Sequence, residues 1–139
     1  MSKAKKLLMS IARRDKIIEL KLEELERQKR LCEVRAVTFG ERVQSSGTDS
    51  SMKVIDYIQM KDEVDEYIKK TLELKKHVMD VMDKMENEIY IELLYRRYFE
   101  KMTFEQIAEK LQLSNKRVYQ LHKIALKELD CELDKIRKS

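Results

Sequence analysis

The chain contains no proline, no tryptophan, two glycines and two cysteines in 139 residues. Without proline and with so little glycine it has few places for tight turns, which argues against an architecture of short strands and hairpins. Cys32 and Cys131 stand far apart, and neither belongs to a C-x-x-C pair or a Cys/His cluster. A disulfide framework and a zinc site are therefore not expected, and the thiols are read as reduced. No apolar run approaches the roughly 20 residues that cross a bilayer. The N-terminal stretch MSKAKKLLMSIARRDK starts basic, but charges interrupt its apolar part and no small-residue cleavage site follows. A signal peptide is not read there, and a cytoplasmic location is expected.

What is present is charge and helix-forming sequence. Charged residues make up 40% of the chain and hydrophobic residues 42%, the balance of long, solvated helices around a modest core. The length accommodates one domain, or one small domain and an extended partner element. The net charge of +4 is unevenly spread. Residues 1–50 carry 12 Lys/Arg against 8 Asp/Glu, residues 51–88 carry 7 against 10, and residues 89–139 carry 11 against 8. Within the last part, residues 110–127 (KLQLSNKRVYQLHKIALK) hold five basic side chains and no acid, a local cationic face in a chain otherwise rich in carboxylates.

Periodicity predicts an all-α fold. From Lys3 to about Val37 the apolar positions Ile11, Ile18, Leu22, Leu25 and Cys32 trace an amphipathic helix of coiled-coil type, interrupted at Asp15 and Lys29. Residues 38–51 (TFGERVQSSGTDSS) contain both glycines and a Ser/Thr cluster, the composition of a loop. A second helix, capped by Asp49 or Ser51, is expected to run to about Lys84. Its stripe is Met60, Val64, Tyr67, Thr71, Leu74, Val78, Val81 and Met85, at alternating spacings of four and three. The acids and lysines between these positions read as a solvated face and not as a metal site. Two such helices are expected to fold back as an antiparallel hairpin over residues 1–85, which has little core of its own and would gain from pairing with a second copy. From Glu86 onward the character changes: NEIYIELLYRRYFEKM packs Ile89, Leu93, Leu94, Tyr95, Tyr98 and Phe99 into one short helix, the start of a compact region over 86–139.

The segment TFEQIAEKLQLSNKRVYQLHKIALKEL carries the functional signal. Thr103 with Gln106 three residues on has the form of a capping box. Phe104, Ile107, Ala108 and Leu111 then share one face, with Ala108 small enough for a second helix to cross closely. Leu113 turns inward and Ser114 caps a helix from Asn115, leaving the short joint of a helix-turn-helix. Gln112 occupies the turn position where glycine is common; a non-glycine residue there costs about 1 kcal/mol, which a turn tolerates. In the second helix Val118, Leu121, His122, Ala125 and Leu129 form a dry side. Lys116, Gln120, Lys123 and Lys127 fall at spacings of four, three and four on the other, flanked by Arg117. Lys, Arg and Gln on one face of a helix suit the major groove, where Arg and Lys reach guanine and Gln pairs with adenine. The exposed amides of the helix start, at Ser114 and Asn115, favour phosphate.

RRYFEKMTFEQIAEKLQLSNKRVYQLHKIALKEL resembles region four of bacterial sigma factors, the helix-turn-helix that reads the −35 promoter element. The resemblance rests on an arginine-aromatic pair, a capped E-x-I-A helix, S-x-x-R-V and A-L-x-x-L. It implies that Asn115, Lys116, Arg117, Tyr119 and Gln120 lie where that family meets bases and phosphates, with Tyr119 standing where arginine is frequent. The remaining residues resemble none of the other sigma regions. The plan of the chain, a charged helical half before a lone region-four-like end, is similar to small phage and prophage late-gene regulators of the ArpU-like kind. That likeness implies a transcriptional regulator with double-stranded promoter DNA as partner and RNA polymerase as a second one; the homodimer expected through the N-terminal helices rests on the small core of the hairpin.

The isolated His77 and His122, the lack of a nucleophile with a base partner and the lack of a Gly-rich phosphate loop argue against an enzyme, and no cofactor is expected. Two other readings stay open on the sequence. One is a phage packaging protein of the small-terminase kind, which would form a closed ring. The other is an interaction module that binds polymerase without touching DNA.

Overall fold

The computed structural model describes the backbone of residues 2–40 and 47–138 and the side chains of residues 2–34 and 53–137. It is all-α, with no strand among the described residues. The helices are α1 (Lys3–Gly40), α2 (Gly47–Met82), α3 (Glu88–Leu94), α4 (Phe104–Leu111) and α5 (Asn115–Lys138), with a π-helical turn (Tyr95–Phe99) continuing α3.

Packing divides the chain into two compact units, Met1–Arg14 with Leu72–Ser139, and Asp15–Thr71. The second unit is the body of the N-terminal hairpin. Cys32 Sγ donates to the Lys53 carbonyl at 3.5 Å, and Lys21 Nζ lies 5.2 Å from the centre of the Tyr67 ring, so α1 and α2 run antiparallel. Val64 and Thr71 are buried in this unit, while Ile18, Leu25, Cys32, Met60 and Tyr67 are half-buried. The Thr71 hydroxyl is buried without penalty because it donates to the Tyr67 carbonyl at 2.8 Å, one turn back. Leu22, placed on the inner stripe of α1 by its spacing, is 44% exposed; it sits at the edge of a seam too narrow to cover it.

The segment 38–51 corrects the expectation of a loop. Helical backbone extends over 38–40 and 47–51, and residues 41–46 lie outside those described. Gly40 and Gly47 both lie in helical backbone, as the last and the first residue described on either side of 41–46.

The first unit contains the larger core. Leu94 and Tyr98 from the α3 segment meet Ala125, Leu126 and Leu129 of α5, with Val78, Val81 and Met82 from the end of α2 and Met85 just past it. Ala4, Leu8 and Ile11 complete this cluster and are fully buried. The first turns of α1 are thus core residues of the unit that holds the helix-turn-helix. Ala4, Leu8 and Ile11 recur at spacings of four and three, the same signal that marks the rest of the stripe. A smaller cluster of Leu93, Ile107, Ala108, Val118 and Leu121 joins α3, α4 and α5. Asn87 caps α3 by accepting from the Ile89 amide at 2.9 Å.

Candidate nucleic-acid interface

The interface is built outward from the joint between α4 and α5. Thr103 opens α4: its hydroxyl accepts from the Gln106 amide at 3.1 Å, and the Gln106 side-chain oxygen accepts from the Thr103 amide at 3.0 Å. The reciprocal pair satisfies two amides that the helix start would leave unpaired. α4 stops at Gln112, whose backbone is left-handed (φ 57°, ψ 45°). The Leu113 amide then donates to the Ala108 carbonyl at 2.9 Å, closing the last turn in the manner of a Schellman motif. Leu113 is half-buried against the smaller cluster. Ser114 caps α5 by accepting from the Arg117 amide at 3.1 Å, and Ala108, 4% exposed, lies in the contact between the two helices. The local chain order of cap, small residue, left-handed turn and second cap is the one read from the sequence.

Two features of the joint had no such signal. The π-helical turn places the Glu100 amide on the Tyr95 carbonyl at 3.1 Å, five residues back. Lys101 then takes φ 60°, and the Met102 amide returns to the Arg96 carbonyl at 2.9 Å. The extra residue of a π turn carries Arg97 to Phe104: its guanidinium carbon lies 4.2 Å from the ring centre, and its Nη1 donates to the Met102 carbonyl at 3.0 Å. A cation over an aromatic face is attracted by the ring quadrupole, so this contact ties the approach of α4 to α3.

Phe104 also meets both neighbours on α5. Its ring centre is 4.6 Å from that of Tyr119 and 5.0 Å from that of His122, the latter edge-on. His122 faces inward as its spacing predicts, 8% exposed, and its Nε2 shares a 2.8 Å hydrogen bond with the Tyr98 hydroxyl. Burial, and then the positive charges of Lys5 and Arg97, push the imidazole down to about 4. Burial raises the Tyr98 phenol against the opposing pull of Arg97. The pair is a satisfied internal hydrogen bond between neutral groups. It is positioned to hold α5 against α3.

The opposite side of α5 is wet and basic. Ser114, Asn115, Lys116, Arg117, Tyr119, Gln120, Lys123 and Lys127 are all exposed. Lys116, Gln120, Lys123 and Lys127 form one line along the helix, and Arg117 Nη1 donates to Gln120 Oε1 at 3.4 Å. Tyr119 is half in solvent but seated on Phe104, which fixes its ring at the edge of that line. Asp130 and Asp134 continue the line at the next turns, and both are engaged by the start of α1. Asp130 Oδ1 accepts from the Ala4 amide at 2.7 Å, and Asp134 lies 3.6 Å from Lys3 Nζ. Asp130, the first carboxylate on this line after the cationic stripe, thereby caps α1.

Residues 90–130 match the family model described as Sigma-70, region 4. The C-terminal part of the chain is a sigma-region-four-like, DNA-binding helix-turn-helix. No curated protein and no solved structure matches the chain. The matched span begins in α3 and ends at Asp130, so it takes in the capping box, the joint and all eight exposed residues of the stripe. The packed turns of α1 and α2 that complete the same core lie outside it. Among the described residues no cluster of His, Cys, Asp and Glu could hold a metal ion, and no helix is long and apolar enough to cross a membrane.

Proposed function

We propose that the chain is a sequence-specific transcriptional regulator, phage or prophage encoded, that docks α5 in the major groove of promoter DNA. Lys116, Arg117 and Gln120, near the start of α5, are the residues for base edges. Ser114 and Asn115 at the helix N-terminus, with Lys123 and Lys127 farther along, take phosphates. Tyr119 offers an apolar face to a thymine methyl or sugar. The hairpin of α1 and α2 serves as the partner element, through which copies pair and RNA polymerase is contacted.

The observation that carries this reading is the acid-free exposed stripe on a helix whose other side is dry, in a region that matches a DNA-binding family. Over 18 residues, from 110 to 127, the chain sets five basic side chains and no carboxylate, a local cationic face of the kind that meets nucleic acid.

The test is enrichment of sheared genomic DNA of the host and its phages on the purified chain. A regulator retrieves a few discrete fragments upstream of transcription units, and a two-fold dimer retrieves repeated half-sites. Uniform retrieval of all fragments, or none, contradicts sequence-specific regulation. A closed ring of many subunits bound at a packaging site would assign the chain to phage assembly instead.

A further inference from the structure

α2 carries apolar residues on two neighbouring faces, offset by one residue and so about 100° apart round the helix. The inner one, Met60, Val64, Tyr67 and Thr71, is buried or half-buried within the hairpin. On the outer one a second series recurs at spacings of four and three: Val54, Ile58, Lys61, Asp65, Ile68 and Leu72. Val54 is 43%, Ile58 51% and Leu72 59% exposed. Lys61 and Asp65 are exposed as well, and Ile68 is half-buried. A helix with one partner needs one apolar stripe; a second in heptad spacing is what a second helix would cover.

Read in reverse, this stripe keeps an aliphatic residue at each outer position and exchanges the two central charges. An antiparallel copy of α2, related by a two-fold axis near residue 63, sets Ile58 opposite Ile68 of the second copy and Val54 opposite its Leu72. The same register sets Lys61 opposite Asp65 of the second copy, and Asp65 opposite its Lys61. A parallel in-register pair would instead put lysine against lysine and aspartate against aspartate, which is destabilising. We propose that the outer face of α2 is a homodimer interface in which two copies pair antiparallel, with reciprocal Lys61–Asp65 contacts at its centre. The apolar pairs at either end supply the burial that drives association. The central ion pairs add little net stability, but they fix orientation and register, the best-attested use of polar residues in such a seam.

This specifies the copy pairing assumed for the hairpin under the proposed function, and it is tested without DNA, so its failure leaves the recognition stripe of α5 untouched. Sedimentation equilibrium of the full chain is expected to give a dimer. Lys61→Asp and Asp65→Lys each create like charges across the axis and are expected to weaken the dimer by roughly tenfold or more. The double exchange Lys61→Asp/Asp65→Lys restores opposite charges and with them the wild-type dissociation constant, to within a few-fold. The substituted side chains are exposed in the single chain, so circular dichroism should stay unchanged throughout. A wild-type monomer, a larger ring, single variants that dimerise as well as wild type, or a double exchange that fails to restore pairing would each overturn the proposal.

Discussion

At the scale of single residues, His122 shows how a polar side chain can sit in a core at low cost. Its hydrogen bond with Tyr98 replaces the one it gives up to water. Its depressed pKa follows from burial and from Lys5 and Arg97. The unfolded chain, with an ordinary imidazole near 6.5, takes up a proton more readily than the folded one between that value and about 4. Stability linked to His122 is therefore complete above about pH 6.5 and is lost as the pH falls through this window, by at most about 1.4 kcal/mol per pH unit. Urea unfolding at several pH values should show a smaller acid loss in His122→Gln, which keeps a polar partner for Tyr98 but does not titrate there. Parallel pH profiles of variant and wild type would assign the acid sensitivity to other groups. The sequence placed His122 on the dry side of α5 by spacing alone. Its partner Tyr98, 24 positions away, could not be read, because nothing local couples the two.

Among the elements, those governed by local chemistry were legible and those governed by distant packing were not. The Thr103/Gln106 box, the turn at Gln112, the Ser114 cap and the exposed stripe from Lys116 to Lys127 all depend on neighbours within four residues, and each was read correctly from the chain. The π turn over 95–99 has no local signature: Tyr-Arg-Arg-Tyr-Phe is also good α-helical sequence, and the extra residue becomes visible only where Arg97 reaches Phe104. The role of the first turns of α1 was likewise hidden. Ala4 and Leu8 carry the right spacing, but their partners on α5 are more than a hundred residues away. The consequence is a test on stability: Leu8→Ala, a fully buried position, should cost about 2–5 kcal/mol and loosen the helix-turn-helix unit itself. Leu20→Ala, at a position 52% exposed, should stay within about 0.5 kcal/mol. Equal effects of the two substitutions in denaturant unfolding would mean that the start of α1 is not part of that core.

The whole molecule comprises two units: one of α3, α4 and α5 completed by the beginning of α1 and the end of α2, the other the antiparallel body of the hairpin. The helical class and the hairpin followed from periodicity over many turns, which averages out local irregularities. The extent of the connection did not, since helical backbone takes in glycine- and serine-bearing positions whose composition reads as loop. The proposed contact of the cationic stripe of α5 with DNA is tested most directly by measuring affinity for an enriched DNA fragment across a salt series, wild type against Lys116→Ala/Arg117→Ala. The double substitution is predicted to weaken binding by tenfold or more, as contacts to base edges are lost, and to lower the salt slope by at most about one to two units, as two cations leave the groove. Unchanged affinity and an unchanged slope would contradict the claim and place any DNA contact elsewhere on the molecule.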